Sequence, residues 1–404
     1  MQYTIIGGGV VGLAVANELS KTEGNEVVLL ERNKSIKQNE NQSTRNSGVV
    51  HAGIYYPQSK VPNKAKLCVE GNEMLYQFAD EHRVPNKRCG KLVVATNDRE
   101  IRYIDDVFSV GRDNGVPGLE MIGPEKIREY EPNVTGVQAI YVPTSGIIDS
   151  VKLLQALNAS ATRSDRPSQA IISTGAEVKN IGYENGKFYI TTQAETFDSD
   201  VVINAAGLYS DDIARMINPD FAHRVSATRG ESVYFLKSTR EDLSCNGMNV
   251  YPAPYGIDLK TGDKAEIPFE EFLTGYNSGA LSKTVGMHLT PTFDHNGEIS
   301  DIVTITPAFV GNVGKDDYSR SREERYFVDG VKGFFPSVGY EDVQAHETGI
   351  QARLKGHQDF VIESDKRYDR FINLVGIDSP GLTSSLAIAK YVVCGLLSPA
   401  MKGK

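Results

Sequence analysis

The fold of this chain is decided near its start by Tyr3-Thr4-Ile5-Ile6-Gly7-Gly8-Gly9-Val10-Val11-Gly12. A short apolar run precedes three glycines in a GxGxxG array, and a helix-like stretch continues to Leu19. A second apolar run, Val27 to Leu30, ends on the acidic residue Glu31. Strand, glycine turn, helix, strand and carboxylate in this order are typical of the βαβ unit that binds a dinucleotide.

Each residue of this unit has a physical role in that interpretation. Gly7 allows the tight turn, Gly9 lets the backbone approach a pyrophosphate, and Gly12 lets the helix lie close to the strand. The helix N-terminus offers free N–H groups and a partial positive charge to the phosphates. Glu31 follows Gly12 by 19 positions, about where a carboxylate meets the adenosine ribose. The motif does not separate NAD from FAD, but its position at residue 7 favours FAD, because many flavoproteins begin with this unit.

Composition narrows the class of protein. A chain of 404 residues exceeds the size at which single cores usually divide, so we expect two domains. Hydrophobic residues make up 40% and charged residues 24%, as in ordinary globular proteins. The formal net charge of −9 argues against a nucleic-acid partner.

The cysteines and the apolar runs point to a cytoplasmic protein without a metal. Four cysteines form no CxxC pair and have no histidine at metal-ligand spacing, so reduced thiols are expected. No signal peptide precedes the first predicted strand. The longest apolar candidate, Leu386 to Leu397, is interrupted by Lys390 and is too short for a bilayer span. Peripheral membrane association stays open.

Strands that run into small residues recur in the middle and at the end of the chain. Asp200 to Gly207 and Phe371 to Gly381 both follow this pattern. We therefore predict an α/β fold with a discontinuous Rossmann-like FAD-binding domain, made of residues 1–44, 145–215 and 346–404. The intervening segments, 45–144 and 216–345, are predicted to form a β-rich α+β substrate domain.

A second constellation occupies residues 43–56, with the sequence STRNSGVVHAGIYY. Hydroxyl groups and Arg45 suit phosphate or ribose oxygens. Small residues suit close approach of the backbone to a flat ring. His51 could transfer a proton near neutral pH, and its neighbours favour a functional role over that of a histidine in a polar loop.

This stretch resembles the flavin-contacting loop of the FAD-dependent D-amino-acid oxidase superfamily. The resemblance is strongest to the branch of L-2-hydroxyglutarate dehydrogenases and oxidases, with flavin-linked glycerol-3-phosphate dehydrogenases as cousins. It covers nearly the whole chain in the same order, through GKLVVATND (90–98), SGIIDS (145–150), INAAGLYSDDIARM (203–216), RGESVYF (229–235), YPAP (251–254), GMHLTP (286–291) and GIDSPGLTSSLAIAKY (376–391).

The resemblance implies which residues hold the cofactor. The ADP half of FAD is expected at Gly7, Gly9, Gly12 and Glu31, with the backbone of Val178, on a predicted strand Ala176 to Tyr183, at the adenine and Ala206 and Gly207 beside the ADP. Arg45, Asn46 and Ser47 would line the path to the flavin. The isoalloxazine would be wrapped by Gly376, Ser379, Gly381, Leu382 and Thr383. Near relatives imply non-covalent binding.

Two departures from the family pattern concern the substrate. The family usually has an arginine where this chain has Gln351, in the segment Gly349 to Arg353. Residues two apart on a strand share a face, so Arg353 could replace the missing charge. The segment Tyr255 to Thr284 has the character of an insertion between two strands of the substrate domain, and is expected to reshape or cover the pocket.

The favoured reaction is oxidation of a small L-2-hydroxy acid such as L-2-hydroxyglutarate to the 2-oxo acid, with hydride transfer to FAD. This chemistry needs a base, a cation for the carboxylate and a held substrate carbon. The base candidates are His51 and His288, and the substrate-binding candidates are Tyr55, Arg229, Tyr251 and Arg353. Glycerol-3-phosphate or amino-acid oxidation and an inactive flavin-binding scaffold stay open as alternatives. So does the electron acceptor: oxygen, a quinone or an electron-transfer protein.

Overall fold

The computed structural model describes residues 1–36, 41–258, 264–265, 267–278 and 280–397. The helices in these ranges are α1 (Val10–Leu19), α2 (Pro62–Glu81), α3 (Asp98–Asp113), α4 (Pro124–Tyr130), α5 (Ser150–Ala161), α6 (Ser210–Ile217), α7 (Phe269–Ser278), α8 (Glu324–Val331) and α9 (Gly381–Lys390). A π-helical segment, Tyr391–Leu397, follows α9.

The first twelve strands are β1 (Gln2–Ile6), β2 (Glu26–Glu31), β3 (Val49–Val50), β4 (Asn86–Lys87), β5 (Lys91–Ala95), β6 (Glu120–Ile122), β7 (Gln138–Val142), β8 (Gly146–Ile148), β9 (Ile171–Thr174), β10 (Asn180–Glu184), β11 (Lys187–Thr191) and β12 (Thr196–Ser199). The later strands are β13 (Val201–Asn204), β14 (Val225–Leu236), β15 (Asn249–Pro252), β16 (Tyr255–Asp258), β17 (Lys264–Ala265), β18 (Leu281–Thr284), β19 (His288–Phe293), β20 (Ile299–Gly311), β21 (Gln344–Leu354), β22 (Val361–Ser364) and β23 (Phe371–Val375).

The predicted βαβ unit lies at the centre of a six-stranded sheet with the order β22-β23-β13-β1-β2-β9. Its strands are parallel except for β22, which pairs antiparallel with β23. Helices α1, α5 and α9 contribute to a core on one face, where Leu13, Leu153 and Ile388 are fully buried. Strands β10 and β11 and helix α6 cover the other face. Burial on both faces explains why the strands are continuous apolar runs.

A second sheet of eight strands has the order β21-β14-β20-β19-β15-β5-β7-β6. One face buries a core that includes Phe235, Ile305 and Phe327. The pleat turns alternate side chains to the opposite face. The ring of Tyr251 on β15 stacks on that of His288 on β19, so these two side chains share a face. The α/β architecture predicted from the sequence, a Rossmann-like sheet with a β-rich second part, is confirmed.

The predicted domain boundary at residue 346 falls inside β21, and this strand pairs along its length with β14 of the eight-stranded sheet. We therefore propose that the substrate-side part continues to Leu354. Helix α2 comes from the predicted substrate domain but packs tightly on α9, because Gly71 lies so close that a Cβ there would be 2.4 Å from the Thr383 carbonyl oxygen.

Two predicted elements differ from the structure. The predicted strand over residues 176–183 begins only at Asn180. Before it, the backbone N–H of Ala176 donates to the Glu31 carbonyl at 2.8 Å, so this part of the chain crosses the end of β2. The predicted insertion, 255–284, contains β16, β17, α7 and β18, and its Phe272 packs with Tyr103 of α3. Residues 259–263, 266 and 279 of that segment lie outside the described ranges.

Across the described ranges, no helix combines the length and the apolarity that a bilayer span needs. The same ranges contain no group of three or more His, Cys, Asp and Glu side chains placed to hold a metal ion.

Candidate active site

The glycine turn between β1 and α1 leaves no space for side chains. Gly7 has a φ of +113°, and a Cβ there would lie 2.4 Å from the carbonyl oxygen of Ala205. A Cβ on Gly12 would lie 1.9 Å from the carbonyl oxygen of Gly7. Gly9 is the N-cap of α1. A Cβ on Gly9 would lie 3.1 Å from the Ser43 hydroxyl oxygen. Glycine is therefore required at positions 7 and 12 by close backbone approach.

Ser43 was missed as a site residue by the sequence analysis. Its Oγ accepts a hydrogen bond of 2.9 Å from the backbone N–H of Val10, the first residue of α1. A hydroxyl at this point lies where the helix N-terminus presents its free N–H groups to a phosphate. The available signal was a hydroxyl two positions before Arg45, in a stretch that already suggested phosphate binding.

The predicted ADP-binding residues come together at the carboxyl ends of β1, β2 and β13. The Glu31 carboxylate accepts hydrogen bonds from the backbone N–H groups of Gly8 (2.6 Å) and Asn33 (2.8 Å). The segment with Ala206 and Gly207 lies beside Gly7, and nothing lies within 4 Å of the place of a Cβ on Gly207. Val178 is buried in the same region, on the irregular segment before β10 rather than on the predicted strand.

The loop of residues 45–47 faces the eight-stranded sheet across a cleft. Arg45 donates to the Thr348 carbonyl at 3.3 Å and stacks on the Tyr318 ring, with 4.3 Å from its guanidinium carbon to the ring centroid. Asn46 and Ser47 are exposed in this cleft. Its other lining residues include Gly230, Ser232, Thr304, Thr306, Thr348 and Gly349. Small and hydroxyl-bearing side chains thus leave room for a flat ring.

The loop from Gly376 into α9 is joined to the loop that carries His51. Gly376 has a φ of +71° at the end of β23, and Gly381 and Leu382 begin α9. The backbone N–H of His51 donates to Thr383 Oγ1 at 3.0 Å. Ser379 Oγ lies 3.2 Å from His51 Nε2. The structure therefore brings the predicted isoalloxazine-binding residues next to the first candidate base.

His51 is held in its neutral form. Burial, together with the positive charge of Lys91 and the neighbouring His288, lowers the pKa of His51 well below its usual value of 6.5. Its Nδ1 atom is buried and has no hydrogen-bond partner among the described residues. A neutral imidazole with an unpartnered nitrogen can accept a proton.

His288 is the second candidate base, and it lies on the same side of the sheet. Its ring stacks on Tyr251 with 3.8 Å between the centroids. Nδ1 lies 3.4 Å from the Gly286 carbonyl oxygen, and Nε2 is buried without a partner in the described part of the chain. Burial and the charge of Lys91 lower the pKa of His288 to about 3. His288 is therefore also neutral, but it is a weak base.

The two tyrosines predicted to bind substrate flank these histidines. The rings of Tyr55 and Tyr251 stack with 6.3 Å between the centroids. Burial raises the pKa of both phenols, so both keep their protons. The Tyr55 hydroxyl is buried and lacks a partner within the described residues. The structure thus assembles His51, His288, Tyr55 and Tyr251 in one buried cluster.

Lys91, at the start of β5, belongs to the same buried cluster, and its sequence context did not single it out. Its side chain is 1% exposed, and its Nζ lies 3.8 Å from the centroid of the Tyr251 ring. Burial lowers the pKa of Lys91 to about 7. The only signal in the sequence was a lysine at the head of the apolar run Lys91 to Ala95.

Arg353 and Gln351 share a face of β21, as the sequence predicted. Arg353 Nε donates to Gln351 Oε1 at 2.9 Å and lies 4.0 Å from Asp378 Oδ2. The same Asp378 carboxylate forms a 2.6 Å ion pair with Lys64. Two cations thus share one carboxylate beside Ser379, and this cluster keeps an excess positive charge.

Arg229, which the sequence predicts to bind substrate, is engaged by protein groups in this structure, and a substrate-binding role for it stays a prediction without support from the geometry. Its side chain is 3% exposed, and it forms ion pairs with Glu231 at 3.0 Å and Asp317 at 2.6 Å. Its remaining hydrogen bonds go to the hydroxyls of Ser319 and Ser321. With all of its N–H groups engaged, Arg229 connects β14 to the segment that precedes α8 and leaves no donor for a ligand.

The Arg229 ion pair gives a prediction about stability. Replacing Arg229 with methionine is expected to lower the free energy of unfolding by about 3 kcal/mol, because it leaves a buried carboxylate without its cation. The loss should stay near the lower end of the usual range, since Ser321 and Arg322 continue to donate to Glu231. Urea unfolding monitored by circular dichroism measures it. An R229M protein that is as stable as the wild type but has a strongly raised KM would instead show that Arg229 binds the substrate.

Comparison with known proteins places this site in a family. The family model of FAD-dependent oxidoreductases (DAO) matches residues 2–394. An L-2-hydroxyglutarate dehydrogenase from Arabidopsis thaliana is 31% identical, with 96% of this chain and 82% of that protein covered. A glycerol 3-phosphate dehydrogenase from Caloramator mitchellensis is 29% identical, with 98% and 74% covered. An L-α-glycerophosphate oxidase from Mycoplasma pneumoniae, solved with FAD bound, has a TM-score of 0.78 at 23% identity, with 97% and 93% covered.

The residues present fit the cofactor of this family. At positions 7 and 12 a Cβ would collide with backbone atoms of the turn, so the turn is built for close backbone approach. One buried ring nitrogen of His51 and one of His288 lack hydrogen-bond partners in the described chain. FAD is the cofactor of this protein, and the residues that would hold it are those of the glycine turn, the 43–47 loop and the start of α9. The chain belongs to the DAO family of FAD-dependent oxidoreductases.

Proposed function

We propose that this enzyme oxidises a small L-2-hydroxy acid with a second anionic group, L-2-hydroxyglutarate being the best candidate, to the corresponding 2-oxo acid. The observation that carries the proposal is the proximity, in one buried cluster, of two neutral histidines and the Lys91 amine, with the Lys64–Asp378 ion pair beside Ser379. FAD, when bound, supplies the hydride acceptor. We also propose that FAD is held without a covalent bond.

The histidines provide the proton chemistry. A 2-hydroxy acid must lose the proton of its hydroxyl group while a hydride leaves the carbon that bears this hydroxyl. His51 is the favoured base, because it lies 3.2 Å from Ser379 in the loop that precedes α9. His288 stacks on Tyr251 and lies near the Gly286 carbonyl, so we assign it a positioning role in the same cluster.

The positive charges provide the recognition of an anion. The cluster of Lys64, Asp378 and Arg353 has two cations for one carboxylate. Because Asp378 is next to Ser379 in the chain, this excess charge lies close to His51. The 2-hydroxyglutarate names of several relatives favour a carboxylate as the anion. A phosphate, as in glycerol 3-phosphate, is the competing anion.

Anaerobic titration of the purified holoenzyme tests the substrate. We expect L-2-hydroxyglutarate to bleach the flavin absorbance at stoichiometric concentration, and D-2-hydroxyglutarate, glycerol 3-phosphate and glycine to leave it unchanged. Oxygen consumption during turnover in air then distinguishes an oxidase from a dehydrogenase. If only glycerol 3-phosphate bleaches the flavin, glycerol 3-phosphate and not L-2-hydroxyglutarate is the substrate. If none of these compounds bleaches it, the result favours an inactive flavin-binding scaffold.

A further inference from the structure

Lys91 presents a buried amine that forms no ion pair with a carboxylate among the described residues. The residue is 1% exposed, and burial lowers its pKa to about 7, so its positive charge is kept only below that pH. The titratable groups that influence this pKa are the thiols of Cys68 and Cys89, which burial keeps protonated and neutral by raising the pKa of both. A buried amine without a counter-ion is costly, so its retention needs a reason.

The surroundings of Lys91 give that reason. Its Nζ lies over the ring of Tyr251 at 3.8 Å and 5.6 Å from the centroid of Tyr55. Tyr55 Oη, His51 Nδ1 and His288 Nε2 are all buried without a hydrogen-bond partner in the described part of the chain. The charge of Lys91 lowers the pKa of both histidines, and Tyr251 contacts both Lys91 and His288, so these groups form one buried cluster. A cation and three polar atoms without partners are the groups that an anionic ligand with additional oxygen atoms would need as binding partners.

We propose that the Lys91 ammonium group binds a carboxylate of the substrate and provides a second anion position beside the Lys64–Asp378–Arg353 cluster. Two separate excess charges select dicarboxylates over monocarboxylates of the same length. The inference rests on the proposed function for the identity of the substrate, but the selection itself is a property of binding. The cation–π contact with the Tyr251 ring holds the ammonium group in place when no ligand is bound.

Binding of unreactive acids to the holoenzyme tests this inference without turnover. Glutarate has two carboxylates, and pentanoate, with the same number of carbons, has one. Isothermal titration calorimetry is expected to give glutarate an affinity about 30-fold above that of pentanoate, since loss of one partner of a buried charge pair is costly. In Lys91→Met this preference should fall to about threefold or less. Lys91→Gln, which keeps a polar head of similar length without the charge, should behave in the same way.

Thermal stability distinguishes a ligand-binding lysine from a structural one, because replacing a structural lysine would lower the Tm. Removing an unpaired buried charge should raise the Tm of the K91M protein by about 5 °C. Lys283 is the matched control, because 9% of its side chain is exposed and it is paired with Asp106 at 2.9 Å. Lys283→Met is expected to lower the Tm and to leave the preference for glutarate unchanged.

The outcomes separate the two proposals. If K91M and K91Q keep the glutarate preference of the wild type, or if both are less stable than the wild type, Lys91 is a structural residue and the inference is overturned. If the preference falls as expected but L-2-hydroxyglutarate does not bleach the flavin, the proposed substrate is wrong while the anion position at Lys91 stands.

Discussion

The variant His51→Ala is expected to retain FAD and to lose about 10²- to 10⁴-fold in kcat/KM, the usual contribution of a general base. The backbone of His51, rather than its ring, bonds to Thr383 and Asn72, so the loop that carries it should keep its place. Loss of the ring removes one of the polar atoms placed around the proposed ligand, so glutarate affinity should fall, but far less than kcat/KM. Stopped-flow measurement of flavin bleaching by L-2-hydroxyglutarate, at saturating substrate, isolates the loss in the chemical step.

The pH dependence of the same reaction follows from the state of His51. Its pKa lies well below 6.5 in the folded protein, so the base is already neutral at pH 6.5, and kcat/KM should not fall until the pH is lower than that. His51→Ala should remove this acid limb. The matched variant His288→Ala should retain the limb and lose less activity, because His51, and not His288, contacts Ser379 in the loop that precedes α9. The reverse ranking of the two variants would assign the base to His288.

Local signals carried most of what could be predicted. Helix α4, Pro124–Tyr130, is marked at both ends in the sequence by Pro124 at its first turn and Glu131-Pro132 after its end. Asp149, a typical capping residue, caps α5 by accepting from the backbone N–H of Lys152 at 2.9 Å. The shared face of Gln351 and Arg353 followed from the period of two in a strand.

Long-range partners could not be predicted from the sequence. Arg229 was expected to meet a ligand, but its ion-pair partner Asp317 lies 88 positions later in the chain, on a segment with no motif. Lys91 was overlooked for the opposite reason. A lysine at the head of an apolar strand usually turns to solvent, and only the tertiary fold places this one against Tyr251 and away from any carboxylate.

The glycine turn leads to the other large effect. In Gly12→Ala the added methyl group would lie 1.9 Å from the Gly7 carbonyl oxygen, a backbone atom that cannot rotate away. Helix α1 must then move from β1. Overpacking in ordinary cores costs about 1–3 kcal/mol, and we expect a cost at the upper end of this range because the obstruction is backbone.

The consequence for the cofactor should be larger than that for the fold. Moving α1 displaces both its N-terminus and the Ser43 hydroxyl bonded to Val10, so two parts of the phosphate site shift together. We expect FAD affinity to fall about 100-fold, an effect of about 2.7 kcal/mol, measured by fluorescence titration of the deflavinated protein. Gly182→Ala on β10 is the control, because nothing lies within 4 Å of its added methyl group. It should bind FAD like the wild type, and equal affinities in all three proteins would place the diphosphate away from α1.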